Sequence, residues 1–449
     1  MSSSRVLSSP PKIIVFLYVF LFLLDSGAVR SQEIKQLVSG DSARLVAMYR
    51  DLHQNPELGF METRTAEIIA KELNSLGYQV VTGIAKTGVA GILKNGNGPV
   101  VMFRADMDGL PVKEQTGLPY ASVKTVKKED GSETAVMHAC GHDAHVTWML
   151  GIAKIMSTKK NLWKGTLVFV AQPAEELGQG AKAMVDDQLY QKGIPVPDYL
   201  LGLHTWPIPV GTIQNGYNER FAGTDQLDVT FFGIGGHGSS PDLAKDPIVM
   251  ASTAVMQYQQ IISRQIAPQD AAVITVGSFQ SGTANNIIPG SALLKMNMRW
   301  FNDKSRSVLL DGIKRVNEGI ALANNLPKEL YPTINVKATA TPLVNDSGLV
   351  NKVNLALGKT MDSKDIITNS PSLMVSEDFH YLVAPGNKTV YDYLMIGVAN
   401  RTMFANAVKK GEKYPFFNHN ANYQADLEAI PFGTTVGAVA LLELFKSKP

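Results

Sequence analysis

Cysteine is almost absent from this chain, whose 449 residues include one, Cys140. One cysteine cannot form a disulfide within its own chain. Four interpretations of Cys140 therefore stay open: an intermolecular disulfide, an inert buried thiol, a nucleophile or a metal ligand. Composition does not distinguish them, so the residues around Cys140 have to.

An excess of charge is also missing. The chain has 42 Lys and Arg residues against 40 Asp and Glu residues, a formal net charge of +2. Residues 1–31 hold three basic residues and one acidic residue, so the remainder is close to neutral. Because nucleic-acid-binding proteins usually carry a strongly basic patch, we expect no nucleic-acid partner.

The apolar run near the start, "IIVFLYVFLFLL", covers residues 13–24, and it is shorter than the ~20 residues of a membrane-spanning helix. Arg5 and Lys12 precede it, and small residues follow it up to Ala28 and Ser31. This order is typical of a secretory signal peptide. We predict a signal over residues 1–31, export to the periplasm, the secretory lumen or the outside, and no stable membrane insertion after cleavage. A retained anchor is the alternative.

The rest of the chain is too long for one hydrophobic core, so at least two domains are expected. Short apolar runs at 100–103, 167–171 and 199–203 alternate with helical patterns, which favours an α/β domain with a largely parallel sheet. Polar residues with catalytic potential directly follow these runs: Arg104, Asp106, Asp108, Glu175, Glu176 and His204. Since such sheets bind ligands at the carboxyl ends of their strands, we expect these residues to converge.

The pattern changes near residue 221. Two helices and about four strands follow in the manner of a compact α+β unit, and the α/β pattern resumes near residue 344. The sequence therefore predicts a catalytic domain in two parts, 32–220 and 344–449, interrupted by an inserted domain, 221–343.

The segment "CGHD" places Cys140 and His142 two residues apart, with Gly141 allowing both side chains to face one point. A metal ion would hold the sulfur as a thiolate. Of the adjacent acids Glu175 and Glu176, one could bind the metal ion while the other acts as the general base on metal-bound water. The spacing alone is a weak signal, and a buried inert thiol remains possible.

Eight motifs in order carry a resemblance over nearly all of the chain: "FRADMDGLP", "MHACGHDAH", "QPAEE", "GLHTWP", "GGHGSSP", "NNIIP", "SEDF" and "FFNHNANY". Together they resemble the aminoacylase and carboxypeptidase family of dinuclear metallohydrolases. The match is to its amidohydrolase branch, which includes hippurate hydrolases and plant indole-acetyl-amino-acid hydrolases. The resemblance implies a zinc-aminopeptidase-like α/β catalytic domain and an inserted ferredoxin-like lid that dimerises.

The resemblance also implies roles for individual residues. It makes Glu175 the general base, with Asp106 supporting the site and His237 reaching the oxyanion, often from a partner subunit. Asn286 and Arg299 would bind the substrate. The implied metal ligands are Cys140, His142, Glu176, His204 and His419. One departure concerns the last motif, where Ala421 stands in place of the usual proline.

The implied activity is hydrolysis of N-acyl amino acids to an acid and an amino acid, with one or two Mn²⁺, Zn²⁺ or Co²⁺ ions as cofactors. A homodimer with a small-molecule substrate is expected. Three alternatives stay open: a metallo-dipeptidase or carboxypeptidase with the same site, an inactive binding homologue, and a cysteine hydrolase with Cys140 as the nucleophile and His142 or His145 as its base.

Overall fold

The computed structural model describes residues 13–127 and 131–446, with side chains from residue 32 onward. The first twelve residues of the expected signal peptide lie outside the described residues, and residues 13–31 belong to the first helix. The signal peptide therefore stays a prediction. Within the described residues, no helix combines the length and the apolar character that crossing a membrane requires.

Nine α-helices lie in the described ranges: α1 (Ile13–Gln54), α2 (Thr63–Ser75), α3 (His142–Thr158), α4 (Gly180–Asp186), α5 (Pro247–Gln265), α6 (Asp303–Ala323), α7 (Ser347–Leu357), α8 (Arg401–Lys409) and α9 (Ala429–Leu444). The strands in the same ranges are β1 (Gln79–Ile84), β2 (Gly88–Asn95), β3 (Val100–Asp106), β4 (Thr125–Lys127), β5 (Glu133–Ala135), β6 (Gly165–Gln172), β7 (Tyr199–Pro209), β8 (Ile213–Gln214), β9 (Asn218–Phe221), β10 (Gly223–Phe232), β11 (Gly236–His237), β12 (Val273–Ser281), β13 (Ile287–Ile288), β14 (Ser291–Trp300), β15 (Thr333–Ala340), β16 (Leu343–Asn345), β17 (Ile366–Ile367) and β18 (Val390–Ala399).

These elements form two compact units. The first consists of the described parts of Met1–Asn215, Ser347–Thr368 and Val383–Pro449, and the second of Gly216–Asp346 and Asn369–Leu382. The second unit thus begins and ends a few residues outside the expected 221–343.

The segment 369–382 corrects the expected domain division, which placed it in the catalytic domain. Leu373 exchanges backbone hydrogen bonds with the strand that leads into β10, donating to Arg220 at 2.9 Å and accepting from Ala222 at 3.0 Å. The guanidinium of Arg220 also donates to the Ser370 hydroxyl at 2.8 Å. Such pairing between distant segments leaves no periodic pattern in the sequence, so the sequence does not reveal it.

The first unit is built on an eight-stranded sheet with the order β1-β2-β6-β3-β7-β18-β8-β17. Its four central strands, β6, β3, β7 and β18, run parallel, and antiparallel strands flank them. The fold confirms the predicted α/β class with a largely parallel central sheet. The central strands are almost wholly buried, as expected for strands that are covered on both faces.

Helices α1, α3 and α9 pack against one another, and α3 and α9 also contact the central strands. Helix α3 is buried along nearly its whole length, from His142 to Met156. Its close contact with α9 depends on Gly433, where a Cβ would come within 2.3 Å of the Trp148 ring. Because α3 is fixed on all sides, the loop that enters it is held firmly against the sheet.

Strand β7 differs from the expectation that His204 follows a strand end. The strand continues to Pro209, and its pairing with β3 stops earlier, at Gly202. Beyond that point β7 pairs only with β18, where His204 lies opposite Met395. His204 therefore projects from the part of β7 that lies beyond its pairing with β3.

The second unit has a four-stranded antiparallel sheet with the order β12-β14-β10-β15. Together with α5 and α6, the chain order β-α-β-β-α-β gives a ferredoxin-like arrangement. Buried residues alternate along β10 and β14, which is the pattern of strands with one face on a core. Asp246 caps α5, and Asn302 caps α6.

Candidate metal centre

The loop that carries Cys140 and His142 enters α3 through Gly141. Gly141 has a φ of 84°, a left-handed conformation that glycine adopts without steric cost. This turn brings the Cys140 sulfur and the His142 ring to the same side of the loop, and both residues are buried. The hydroxyl of Thr205 donates to the carbonyl oxygen of Cys140 at 2.6 Å. The loop is therefore tied to β7, the strand that carries His204.

The ring of His204 presents an unprotonated Nε2 to the sulfur. Its Nδ1 lies 2.6 Å from the Thr205 carbonyl oxygen, which can only accept, so Nδ1 carries the proton. Nε2 lies 3.5 Å from Sγ of Cys140. Burial, assisted by the neighbouring rings of His145 and His142, holds the pKa of His204 well below its usual value. A neutral imidazole with its free nitrogen beside a thiol is the geometry of a metal ligand.

His142 is oriented by Asp108. Its Nδ1 lies 3.2 Å from Oδ1 of Asp108, while its Nε2 is buried without a hydrogen-bond partner in the described structure. That nitrogen is 3.6 Å from Asp106 and 3.8 Å from Glu176. Burial alone would lower the pKa of His142, but the charge of Asp106 and the hydrogen bond to Asp108 raise it well above its usual value.

The two adjacent glutamates follow β6 in a turn that Asp108 and Glu62 hold. The backbone N–H groups of Glu175 and Glu176 donate to the two carboxylate oxygens of Asp108 at 3.2 and 3.0 Å. Ala174 takes a left-handed φ of 50°, and its N–H donates to Glu62 at 2.8 Å. This conformation is uncommon for a residue with a side chain. Asp108 and Glu62 thus hold the turn from both sides, which fixes the main-chain positions of the two glutamates.

Glu176 and His419 meet on the side of the site formed by the last motif. Nε2 of His419 lies 3.3 Å from one oxygen of Glu176, and the other oxygen, Oε1, is buried without a hydrogen-bond partner in the described residues. The N–H of His419 donates to Ala139 at 2.8 Å, which ties this loop to the Cys140 loop. Hydrogen bonds with Cys140 and Glu176 raise the pKa of His419 to about 10.

The donor atoms fit a divalent ion. Three overlapping groups each have ligand atoms within 4.8 Å of one another: Cys140, His142 and His204; Cys140, Glu176 and His419; His142, Glu175 and Glu176. Nitrogen, sulfur and carboxylate oxygen donors together suit zinc and related transition metals. Two buried polar atoms, Nε2 of His142 and Oε1 of Glu176, lack a hydrogen-bond partner among the described residues. They also favour a metal site, because a buried polar atom without a partner is destabilising.

Asp106 and His145 form a buried pair beside these donors. Nδ1 of His145 lies 2.5 Å from Asp106, and its Nε2 accepts from the Thr205 N–H at 2.9 Å. Both ring nitrogens of His145 are thus occupied, so it supports the site rather than coordinating. Asp106 also accepts from the guanidinium of Arg104 at 2.7 Å. The supporting role of Asp106 stays a prediction.

In the second unit, His237 and Asn286 lie side by side. Strand β11 pairs His237 with Ile287, and the N–H of Gly238 donates to the Asn286 carbonyl oxygen at 2.8 Å. Nδ1 of His237 accepts from the Ser239 N–H at 3.1 Å, so the neutral ring carries its proton on Nε2. His237 is exposed, and Nε2 is available as a donor.

Arg299 lies on β14 of the same unit. Its guanidinium donates to Asn297 at 2.8 Å and to the Ser376 hydroxyl at 2.9 Å, and no carboxylate forms an ion pair with it among the described residues. Burial lowers the pKa of Arg299. A half-buried guanidinium without a counter-ion is suited to bind an anionic group.

Asp108, one of the residues that the sequence predicts to converge, orients His142 and the glutamate turn. Two supporting residues escape sequence reasoning at this site: Thr205 fixes the tautomer of His204, and Asn418 points its amide at Sγ of Cys140 from 3.5 Å. Thr205 acts through its main chain, and only the fold brings Asn418 to Cys140.

Comparisons with known proteins show the family of this chain. The family model described as Peptidase family M20/M25/M40 matches residues 102–432. A hippurate hydrolase from Campylobacter jejuni is 40% identical over 334 residues, covering 74% of this chain and 82% of that protein. The Arabidopsis thaliana protein IAA-amino acid hydrolase ILR1-like 2 is 30% identical over 408 residues, covering 90% and 86%.

A solved structure gives a similar result. The Bacillus subtilis YxeP protein, described as a dinuclear metal-binding peptidase of the M20 family, superimposes with a TM-score of 0.72 at 25% identity. The match covers 91% of this chain and 99% of that chain. The similarity therefore extends over both units.

Proposed function

The chain belongs to peptidase family M20/M25/M40, and we propose that it is a metal-dependent amidohydrolase that cleaves N-acyl amino acids to an acid and a free amino acid. Its relatives named hippurate hydrolase and IAA-amino acid hydrolase support the predicted amidohydrolase branch. The observation that carries the proposal is the convergence of five donor residues: Cys140, His142, Glu176, His204 and His419. Among the described residues, Nε2 of His142 and Oε1 of Glu176 are buried there without a hydrogen-bond partner.

These five residues would hold one or two divalent ions, with Mn²⁺, Zn²⁺ and Co²⁺ as the candidates. Such an ion polarises an amide carbonyl and lowers the pKa of water toward ~7. The donor set includes a thiolate and three imidazoles, which favours transition metals over Mg²⁺ or Ca²⁺. Asp108 and Thr205 hold the rings of His142 and His204 so that one nitrogen of each is directed at the site.

Glu175 is the proposed general base. Both carboxylates approach Nε2 of His142, Glu175 at 4.0 Å and Glu176 at 3.8 Å, and Glu176 also contacts His419. We therefore assign Glu176 to the ligand set and Glu175 to the base, which would take a proton from the attacking water and deliver it to the leaving amine.

The second unit supplies the proposed substrate contacts. His237 would donate from Nε2 to the oxyanion, a contact whose removal costs ~3 to 4 kcal/mol in known hydrolases. Asn286 would bind the amide beside it. Arg299 would pair with the carboxylate of the amino acid, because its guanidinium forms no ion pair with a described carboxylate.

Glu175→Gln tests this assignment. The substitution keeps the shape of the side chain and removes its basicity, so hydrolysis of an N-acyl amino acid should be lost while metal content, measured by elemental analysis, stays normal. Retained turnover would show that another residue is the base. Wild-type activity on an N-acyl amino acid should exceed activity on a dipeptide of the same C-terminal residue, and the reverse order would favour a dipeptidase.

A further inference from the structure

A second buried cluster of charges lies behind the candidate metal centre, and none of the roles described above uses it. His53, near the end of α1, is fully buried. Its Nδ1 lies 2.6 Å from Oδ2 of Asp143 and its Nε2 lies 3.1 Å from Oε1 of Glu114. Both partners are carboxylates that accept, so both ring nitrogens donate and His53 is a cation.

Two tyrosine rings also pack close to His53. The Tyr49 and Tyr120 rings lie 5.6 and 5.5 Å from the imidazole, measured between centroids, and Arg50 stacks on the Tyr120 ring. Burial by itself would lower the pKa of His53, but the hydrogen bonds to Asp143 and Glu114 raise it to about 9. A buried imidazolium between two carboxylates is strongly destabilised if one partner is lost.

On one side, Asp143 connects the His53 cluster to the Cys140 loop. Asp143 directly follows His142 in the first turn of α3, and its second oxygen accepts from the Ala144 N–H at 2.9 Å. A shift of Asp143 would therefore turn the start of α3, and His142 with it. The hydrogen bond between Asp143 and His53 holds the first turn of α3 to α1.

On the other side, the segment around Glu114 connects the cluster to the Cys140 loop and to the His419 loop. Glu114 accepts from the Ser122 N–H at 2.5 Å, and the Ser122 hydroxyl donates at 2.7 Å to Val136, just before the Cys140 loop. The neighbouring Gln115 N–H donates at 2.8 Å to Ala421, in the loop that carries His419. The segment around Glu114 thus contacts both ligand loops.

We propose that His53 is a positioning residue for the metal centre: held as a cation between Asp143 and Glu114, it fixes the separation between the Cys140 loop and the His419 loop. This inference rests on the proposed metal-dependent function. His53 does not touch the metal or the substrate in this arrangement, and it acts through the two carboxylates and the loops that they hold.

The test is the affinity for Zn²⁺, measured by competition with a chromophoric chelator on the full chain. His53→Gln removes the charge and one of the two donated hydrogen bonds, and it should weaken Zn²⁺ binding ~10- to 100-fold, as is usual when residues that orient metal ligands are changed. Tyr49→Phe, which changes the ring neighbour of His53 but leaves its hydrogen bonds, should keep the wild-type affinity. Equal affinity of His53→Gln and wild type would overturn the inference.

A separate variant distinguishes positioning from general loss of stability. Leu73→Ala truncates a buried side chain on α2, away from the cluster, and should lower the melting temperature without weakening Zn²⁺ binding. If it weakens binding as much as His53→Gln does, His53 has only a structural role. If His53→Gln does not fold, Glu114→Gln takes its place, because it keeps an acceptor oxygen for Nε2 while removing the charge.

Different results would contradict the proposed metal-dependent function and the positioning role of His53. Wild-type protein that binds no Zn²⁺ in the competition would contradict the metal-dependent function itself. Wild-type binding together with unchanged His53→Gln and Glu114→Gln affinities would contradict only the positioning role.

Discussion

Gly141→Ala is the smallest change that should damage the candidate metal centre. Gly141 has a φ of 84° between Cys140 and His142. A Cβ at this position would lie 2.2 Å from the Tyr423 hydroxyl oxygen and 2.6 Å from that of Thr205. Both distances are far inside van der Waals contact, so the loop has to move if alanine is accommodated.

Replacing Gly141 by alanine would incur two free-energy costs. A left-handed conformation costs a residue with a side chain roughly 1 to 2 kcal/mol. Crowding a well-packed site costs about 1 to 3 kcal/mol more, and the hydroxyl of Thr205 is not free to retreat, because it holds the carbonyl oxygen of Cys140. If the loop releases this strain by moving away from the metal geometry, the lower limit of the sum, about 2 kcal/mol, corresponds to a roughly 30-fold weaker affinity.

The assay is Zn²⁺ competition with a chromophoric chelator, with circular dichroism as a check on folding. Gly40→Ala is the matched control, because Gly40 lies in α1, where an added Cβ would meet no atom within 4 Å, and alanine should stabilise the helix. Adding Tyr423→Phe to Gly141→Ala removes the nearest clashing atom and should recover part of the affinity. Wild-type affinity in Gly141→Ala would refute the reasoning, since the strain would then have no effect on the ligands.

Two further predictions concern the ligand set and its support. Cys140→Ser should reduce metal content, measured by elemental analysis, because a serine hydroxyl is a poor ligand at neutral pH; full occupancy would show that the sulfur does not coordinate. Burial raises the pKa of Glu62 from 4.5 to about 7, so the folded chain keeps a proton that the unfolded chain loses, and stability falls as pH rises through that window. The melting temperature of wild type should therefore fall more than that of Glu62→Gln between about pH 5 and pH 8, and parallel curves would contradict this.

Much of the first unit is predictable from its sequence because short apolar runs and the polar residues after them follow general rules for parallel sheets. The acids of β3 and the glutamates after β6 do lie at neighbouring strand ends, as the topology requires. Two features needed the structure. His204 lies inside β7, because β18 keeps pairing with β7 after the pairing between β3 and β7 has ended, and the segment 369–382 joins the second unit through irregular backbone pairing.

The supporting contacts could not be predicted because they involve main-chain atoms or join residues that are distant in sequence. The tautomer of His204 depends on the carbonyl oxygen of Thr205, and the turn at Glu175 depends on Asp108. Sequence spacing gives the types of ligands that are present, but it does not say which nitrogen of an imidazole carries the proton. The structure shows that His204 and His145 both carry the proton on Nδ1. They differ at Nε2, which accepts from the Thr205 N–H in His145 and faces the Cys140 sulfur in His204.

The hydrogen-bond assignments also explain why the only cysteine of the chain is in this loop. His204 turns an unprotonated nitrogen to Sγ of Cys140, and His419 gains its high pKa from Cys140 and Glu176. Buried lone pairs that face one another repel unless a cation lies between them, and a proton and a metal ion compete for that position. An inert buried thiol needs no such neighbours, and a nucleophile needs a nearby base but not three imidazoles and a carboxylate. The arrangement around Cys140 therefore favours a metal ligand over an inert thiol and over a nucleophile.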